Sequence, residues 1–334
     1  MRSSIALFRR IWLLVAALST AGSASAADPA GPLYVKNMSP VAGLLGIPAQ
    51  RSATPMTSSA WQWDTHVSVA NHYVVDQAAQ ERLNLDGETA RLALSLRYAM
   101  TDRLDVHLEV PWLYHSGGRL DSVIDAWHDL WGMPDGGRDE VPRNVLAYQY
   151  LSTSDNFGLV DDVSGLGDVS AAVTYAVYED AASSAAISLG YKRATGDEQE
   201  FLGSGSDDVY LLLRFSGAHL ADLPLSWHGQ LGYLRAGEVD ALQQRSERDL
   251  WFAGLALEWQ FNEHWFLLGQ LDGHAAPVDS ELPGLGDDAV LATVGLRWRL
   301  ASRWSLELAV AEDIAVETAP DVTFQASLRY RSVP

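Results

Sequence analysis

From 61 to 73 the odd positions carry Trp61, Trp63, Val67, Val69 and Tyr73, and the even ones Gln62, Asp64, His66, Ser68 and His72. A period of two marks a strand with one apolar and one polar face. The same alternation runs through 90–98 and 104–114. Nine further runs follow at 169–177, 187–191, 209–215, 225–233, 251–261, 265–271, 290–300, 304–310 and 322–330. Many of these runs approach the roughly ten residues that a tilted strand needs to cross a bilayer.

The links between the runs alternate in length. Short ones fall at 99–103, 179–184, 217–224, 262–264 and 301–303, and longer ones at 74–87, 115–167, 194–207, 236–249, 275–288 and 312–321. Short turns at one end and long loops at the other are the layout of an up-and-down barrel. Aromatic residues gather at the strand ends: Trp61, Trp63, Tyr98, Trp265, Trp298 and Trp304 beside the short turns, and Tyr73, Trp112, Tyr114, Tyr191, Tyr233 and Trp251 beside the long loops. A sandwich core would draw aromatics to strand centres, whereas two girdles match two membrane interfaces. The expected fold is therefore all-β: an up-and-down transmembrane β-barrel of about twelve antiparallel strands at 61–334, with both chain ends in the periplasm.

Composition narrows the picture. The formal net charge of −20 excludes a nucleic-acid partner, and the lack of cysteine excludes disulfides, thiolate metal sites and a cysteine nucleophile. Arg2, Arg9 and Arg10, an apolar stretch at 11–18 and Ala24-Ser25-Ala26 read as a signal peptide over 1–26. Beyond it no run of about eighteen consecutive apolar residues occurs, which leaves strands as the only way to cross a membrane. Residues 27–60, containing Pro, Gly and Ser, form a segment that enters the lumen or remains periplasmic.

The polar parity faces the lumen, which makes His66, Arg91, Arg97, Asp105, His107, Glu109, Lys192, Arg214, Glu258, Asp272, Arg297 and Glu307 candidate lumen-lining residues, with Arg103 a further basic candidate. Acids and bases nearly balance, which argues against a strongly charge-selective pore. In the longest loop Leu120, Val123, Ile124, Trp127 and Leu130 recur at helical spacing opposite Asp121, Asp125 and Asp129. This predicts one short amphipathic helix. It serves as a lid on the barrel mouth, lies on the outer leaflet, or packs against neighbouring loops such as 145–151.

Signals for other chemistry are sparse. Gly-x-Gly followed by Asp occurs at 165–168, 203–207 and 284–287, without the Lys-Ser or Lys-Thr of a phosphate loop, without a following helix, and without EF-hand spacing. These glycines punctuate loop-to-strand transitions, and no cofactor or metal is expected. His66 with Ser68, and His107 with Glu109, share strand faces about 6 to 7 Å apart. They are the only hints of a lipid-modifying hydrolase. A soluble periplasmic β-rich binding protein is the other alternative to a narrow passive channel or transporter for small solutes.

The stretches Pro32-Leu33-Tyr34-Val35-Lys36-Asn37, Gly46-Ile47-Pro48, His115-Ser116-Gly117-Gly118, Asp125-Ala126-Trp127-His128 and Gly132-Met133-Pro134 resemble an uncharacterised Gram-negative family, domain of unknown function 3187. The resemblance covers most of the chain and implies an outer-membrane barrel without supplying a catalytic residue. Lys192-Arg193-Ala194-Thr195-Gly196, with the Gly-x-Gly-Asp turns, is also similar to barrel transporters linked to aromatic-compound degradation. The expected partners are outer-membrane lipid and lipopolysaccharide, a small-molecule solute and the outer-membrane insertion machinery. That machinery commonly reads a terminal aromatic residue, and here Tyr330 is followed by four more residues.

Overall fold

The computed structural model describes residues 31–119, 144–218, 220, 223–239, 242, 245–314 and 318–332. Twelve antiparallel strands close into a barrel: β1 (Trp61–Gln77), β2 (Glu81–Ala99), β3 (Leu104–Ser116), β7 (Val169–Glu179), β8 (Ser183–Arg193), β9 (Asp208–Gly217), β10 (Leu225–Arg235), β11 (Asp249–Gln260), β12 (Trp265–His274), β13 (Ala289–Ala301), β14 (Trp304–Asp313) and β15 (Val322–Arg331). Each pairs with its neighbour along the chain, and β1 closes the ring on β15 through Asp64 opposite Arg329 and Val67 opposite Ala326. Closure gives each of these twelve strands a partner on both sides, as a sheet in lipid requires, and leaves no two-layer sandwich.

All twelve expected runs lie within or largely within these strands. The alternation works in the sense opposite to that of a water-soluble protein. Outward Leu189, Leu211, Leu255, Val294 and Leu308 are 53–64% exposed, whereas inward Arg214, Arg297 and Glu307 are about 1% exposed. An apolar exterior around a charged interior is stable only where lipid replaces water outside. Trp265 and Trp298 stack at 5.4 Å, and Trp61 and Trp304 flank Tyr330, in the girdle at the short-turn end. Trp251 and Tyr233 pack together at the other end.

Two expectations about loops are corrected. Residues 74–87 form no loop: the β1–β2 ladder runs on from His72 opposite Gly87 to Gln77 opposite Arg82, and only 78–80 make the turn. The ladder continues because Val74, Leu83 and Leu85 have an apolar cover: β4 (Ala147–Ser152) pairs with β2, and its Tyr148 and Tyr150 pack into the same cluster. β5 (Asn156–Leu159) pairs with β4, and β6 (Val163–Leu166) pairs with β3, so the segment expected to be a 115–167 loop contains three strands. The second correction concerns 284–287, where Pro283–Gly286 coils into one helical turn. The helix expected around Leu120, Val123, Ile124, Trp127 and Leu130 lies outside the described residues. Among the described ones no helix is long and apolar enough to cross a membrane.

Candidate functional site

The segment 31–60 lies inside the barrel as a hairpin of irregular backbone. It rises from Gly31, reverses at a 3₁₀ turn (Ala42–Leu44), and descends to β1. The rising limb accepts a bond from Arg297 Nη2 at the Gly31 carbonyl (2.5 Å), and Gln270 meets the Leu33 amide at 2.9 Å. On the descending limb Asp208 accepts from the Gly46 amide at 2.7 Å, Gln50 donates to Asp272 at 2.8 Å, and the Ala53 amide donates to Ser216 at 2.8 Å. The limbs touch: a Cβ added to Gly31 would sit 3.4 Å from Ser52 Cβ, and Gly31 holds φ +103°, a left-handed value suited to glycine. Barrel side chains therefore satisfy much of the hairpin's polar backbone, as an irregular buried segment requires.

The hairpin tip packs into an apolar cluster at the long-loop end. Val41 and Leu44 pack with Leu85, Tyr148, Phe201, Leu242 and Leu285 from the long-loop end. Leu146 joins this cluster, while Leu151 turns outward and is 60% exposed. Among the described residues a cavity of about 80 Å³ lies between hairpin and wall. A cavity of that size holds a few waters.

The twelve sequence-chosen residues all lie on the inner face, most within a hydrogen-bonded network. Tyr34 stacks on His66 with centroids 3.8 Å apart, and its hydroxyl donates to Glu109 at 3.0 Å. Arg91 pairs with Glu109 at 2.8 Å and Arg97 with Asp105 at 2.6 Å. Lys192 bridges Asp168 and Asp208 at 3.0 and 3.1 Å and donates to the Leu44 carbonyl. Arg297 binds both Glu258 and Glu307, and Asp272 accepts from Gln50 and Gln270. Arg214 donates to Thr174 and Ser188, and His107 lines the cavity. Arg103 differs: it is exposed in the short turn between β2 and β3.

His66 does not engage Ser68 in a dyad; its Nδ1 shares a hydrogen bond of 2.8 Å with Ser327 of β15, beneath Tyr34. Asp168, in the first Gly-x-Gly-Asp stretch, accepts from the Thr195, Gly196 and Ser204 amides besides pairing with Lys192. A Cβ on Gly203 would meet Asp168 at 2.4 Å, so that loop needs glycine there. Among the described residues no group of three or more His, Asp or Glu could hold a metal ion.

The residues that sequence reasoning missed are those of the hairpin: Tyr34, Lys36, Gln50 and Arg51. Polar residues set among Leu33, Val35, Leu44, Leu45 and Ile47 were the available signal. Burial lowers the Lys36 ammonium to about 8 against the pull of Glu109, and burial raises the Tyr34 phenol.

The architecture is similar to that of the COG4313 outer membrane channel from Pseudomonas putida F1, with TM-score 0.55 and 14% identity over 84% of this chain and 98% of that one. At that identity the likeness shows the fold. The toluene transporter TbuX of Ralstonia pickettii is more distant, at TM-score 0.42 and 14% identity over 94% of this chain and 99% of that one. No curated protein matches. The model of the family described as "Protein of unknown function (DUF3187)" matches residues 10–332, and the chain belongs to that family.

Proposed function

We propose that this outer-membrane barrel is a narrow passive channel for small solutes, closed in the described state by its own residues 31–60. One observation carries the reading: the wall is a complete ladder without the hairpin, which is fixed to it along its length by side-chain contacts, with backbone bonds to Ala99 at Ser59 and Ala60 where the chain enters β1. A purely structural barrel can fill its interior with inward side chains, whereas here a separate and partly polar segment fills it. Withdrawing that segment would leave a bore lined by Arg91, Arg97, His107, Glu109, Lys192 and Arg297. The long loops face outward among lipopolysaccharide, and insertion depends on the outer-membrane assembly machinery.

The charged lumen suits hydrated solutes, and the His66–Ser327 pair beneath Tyr34 is not placed for attack on a lipid outside the barrel. The test is single-channel recording in planar bilayers with the full protein and with residues 31–57 deleted. The deletion should conduct in steps several-fold larger than the full protein. Absence of conductance from the deletion, with folding shown by heat-modifiable migration, would leave a structural barrel.

A further inference from the structure

At the long-loop end the hairpin tip, the barrel wall and the β8–β9 loop (194–207) meet at one buried side chain. Lys192, on the inner face of β8, is 3% exposed and has four oxygens within 3.1 Å of its ammonium: the Leu44 carbonyl of the tip, the Ser204 hydroxyl of the loop, and the carboxylates of Asp168 and Asp208. Both carboxylates also hold backbone. Asp168 accepts from the Thr195, Gly196 and Ser204 amides and so shapes the loop, while Asp208 accepts from the Gly46 amide of the tip at 2.7 Å and from the Gly237 amide at 2.9 Å. Two of the three glycine-rich stretches, 165–168 and 203–207, therefore converge on this lysine.

A second contact joins loop and tip without the lysine. Phe201, 2% exposed, packs in the apolar cluster that holds Val41 and Leu44. It does so at φ +55°, a left-handed conformation that a bulky residue rarely takes and that costs about 1–3 kcal/mol. The packing, with a bond of 3.0 Å that His115 Nε2 donates to the Phe201 carbonyl, holds the loop in that conformation.

The lysine site is built to let the tip go. An ammonium has three N–H groups for these four oxygens, so departure of the Leu44 carbonyl strands no donor. The Leu44 carbonyl and the Gly46 amide pass to water, and the buried ion pairs, whose rupture would be costly, stay intact. Strain at Phe201 acts in the same direction, because it relaxes when the loop lifts.

We propose that Lys192 and the β8–β9 loop form a latch on the closing segment: loop and tip are seated together, and the tip leaves when the loop lifts. The proposal rests on the hairpin being the segment that closes the lumen, and adds where its release begins.

The test is hydrogen exchange of the full-length protein folded in detergent, read by mass spectrometry over 42–48, 194–207 and the β11 segment 250–258. The Gly43, Leu44 and Leu45 amides are bonded around the turn and Gly46 to Asp208, so the tip reports its own release. Ser204 bonds to Lys192, Asp168 and Ser206, none of them in the hairpin. Ser204→Ala should nevertheless speed exchange of loop and tip together, by about tenfold, the effect of one lost hydrogen bond to a charged group. Lys192→Met should speed both further, with β11 unchanged in either variant; should Lys192→Met fail to fold, Ser204→Ala decides. Faster exchange in the loop with an unchanged tip would overturn the latch, and so would equal acceleration in β11, which would make the lysine a support of the barrel alone. Bilayer recordings separate the two readings: coupled exchange with a 31–57 deletion that does not conduct keeps the latch and sinks the channel, whereas a conducting deletion with uncoupled exchange keeps the channel and sinks the latch.

Discussion

Arg297 of β13 and Glu307 of β14 are register partners, and the arginine Nε donates to Oε1 at 2.8 Å with both side chains about 1% exposed. Glu307 also meets Arg329 at 3.3 Å, and Arg329 meets its own register partner Asp64 at 2.7 Å. The chain of pairs crosses the β15–β1 seam where the barrel closes. Removing Glu307 would leave two buried guanidiniums short of a partner. Glu307→Ala should cost about 3–5 kcal/mol in urea unfolding of the folded barrel. Arg297→Met combined with Glu258→Gln and Glu307→Leu should cost less than the single change, because Arg329 keeps Asp64 and neither carboxylate partner of Arg297 is left charged and unpaired. A loss below about 1 kcal/mol in the single variant would show that the seam does not depend on this network.

The outer face sets a second expectation. Leu255, at mid-height on β11, is 64% exposed. Arginine at the midplane of a lipid-facing strand costs about 2–4 kcal/mol. Leu255→Arg should lower stability in lipid vesicles by that amount, and an unchanged stability would place this face away from the hydrocarbon.

Orientation can be read chemically because the chain has no cysteine of its own. Gln80, in the β1–β2 turn, lies at the long-loop end, and Asp102, in the β2–β3 turn, lies at the short-turn end. In intact cells an impermeant maleimide should label Gln80→Cys and spare Asp102→Cys until the outer membrane is opened. The reverse pattern would invert the barrel.

These expectations show what the chain discloses before it folds. Strand parity was legible because Trp61, Trp63, Val67 and Val69 must meet lipid while Asp64, His66 and Ser68 face inward. The lumen residues were legible as types, but their partners follow from register, which sets Arg297 opposite Glu307 and Arg97 diagonal to Asp105. The extension at 74–87 was hidden because Asn84, Asp86 and Gly87 carry turn chemistry, and the cover that overrides it comes from Tyr148 and Tyr150, about 65 residues downstream. The hairpin had no signal in strand periodicity, since it joins no ladder and backbone groups such as the Leu33 and Ala53 amides bond to barrel side chains, which imposes no repeat on the sequence.

Lys36 makes the seating of the hairpin pH-dependent. Its ammonium ionises near 8 when seated and near its ordinary value of 10.5 when the hairpin is released into water. The seated form therefore binds fewer protons between those values, and seating strengthens as pH rises through about 8. The gain is no more than about 3 kcal/mol and is complete only near 10.5, where the tyrosines begin to ionise. Open-channel current should fall between pH 7 and pH 9.5, and Lys36→Met should be flat over that range and more firmly shut at pH 7. A current that rises with pH in the natural sequence would contradict this.

The central claim is that residues 31–60 close the lumen and must move for solute to pass. Ser52 of the hairpin and Ser216 of β9 have their hydroxyls 3.3 Å apart, close enough to guide a disulfide between limb and wall. The most direct measurement is the bilayer conductance of Ser52→Cys/Ser216→Cys before and after reduction. The oxidised protein should be silent and should acquire channel openings on reduction. Equal conductance in the tethered and reduced forms would contradict the account.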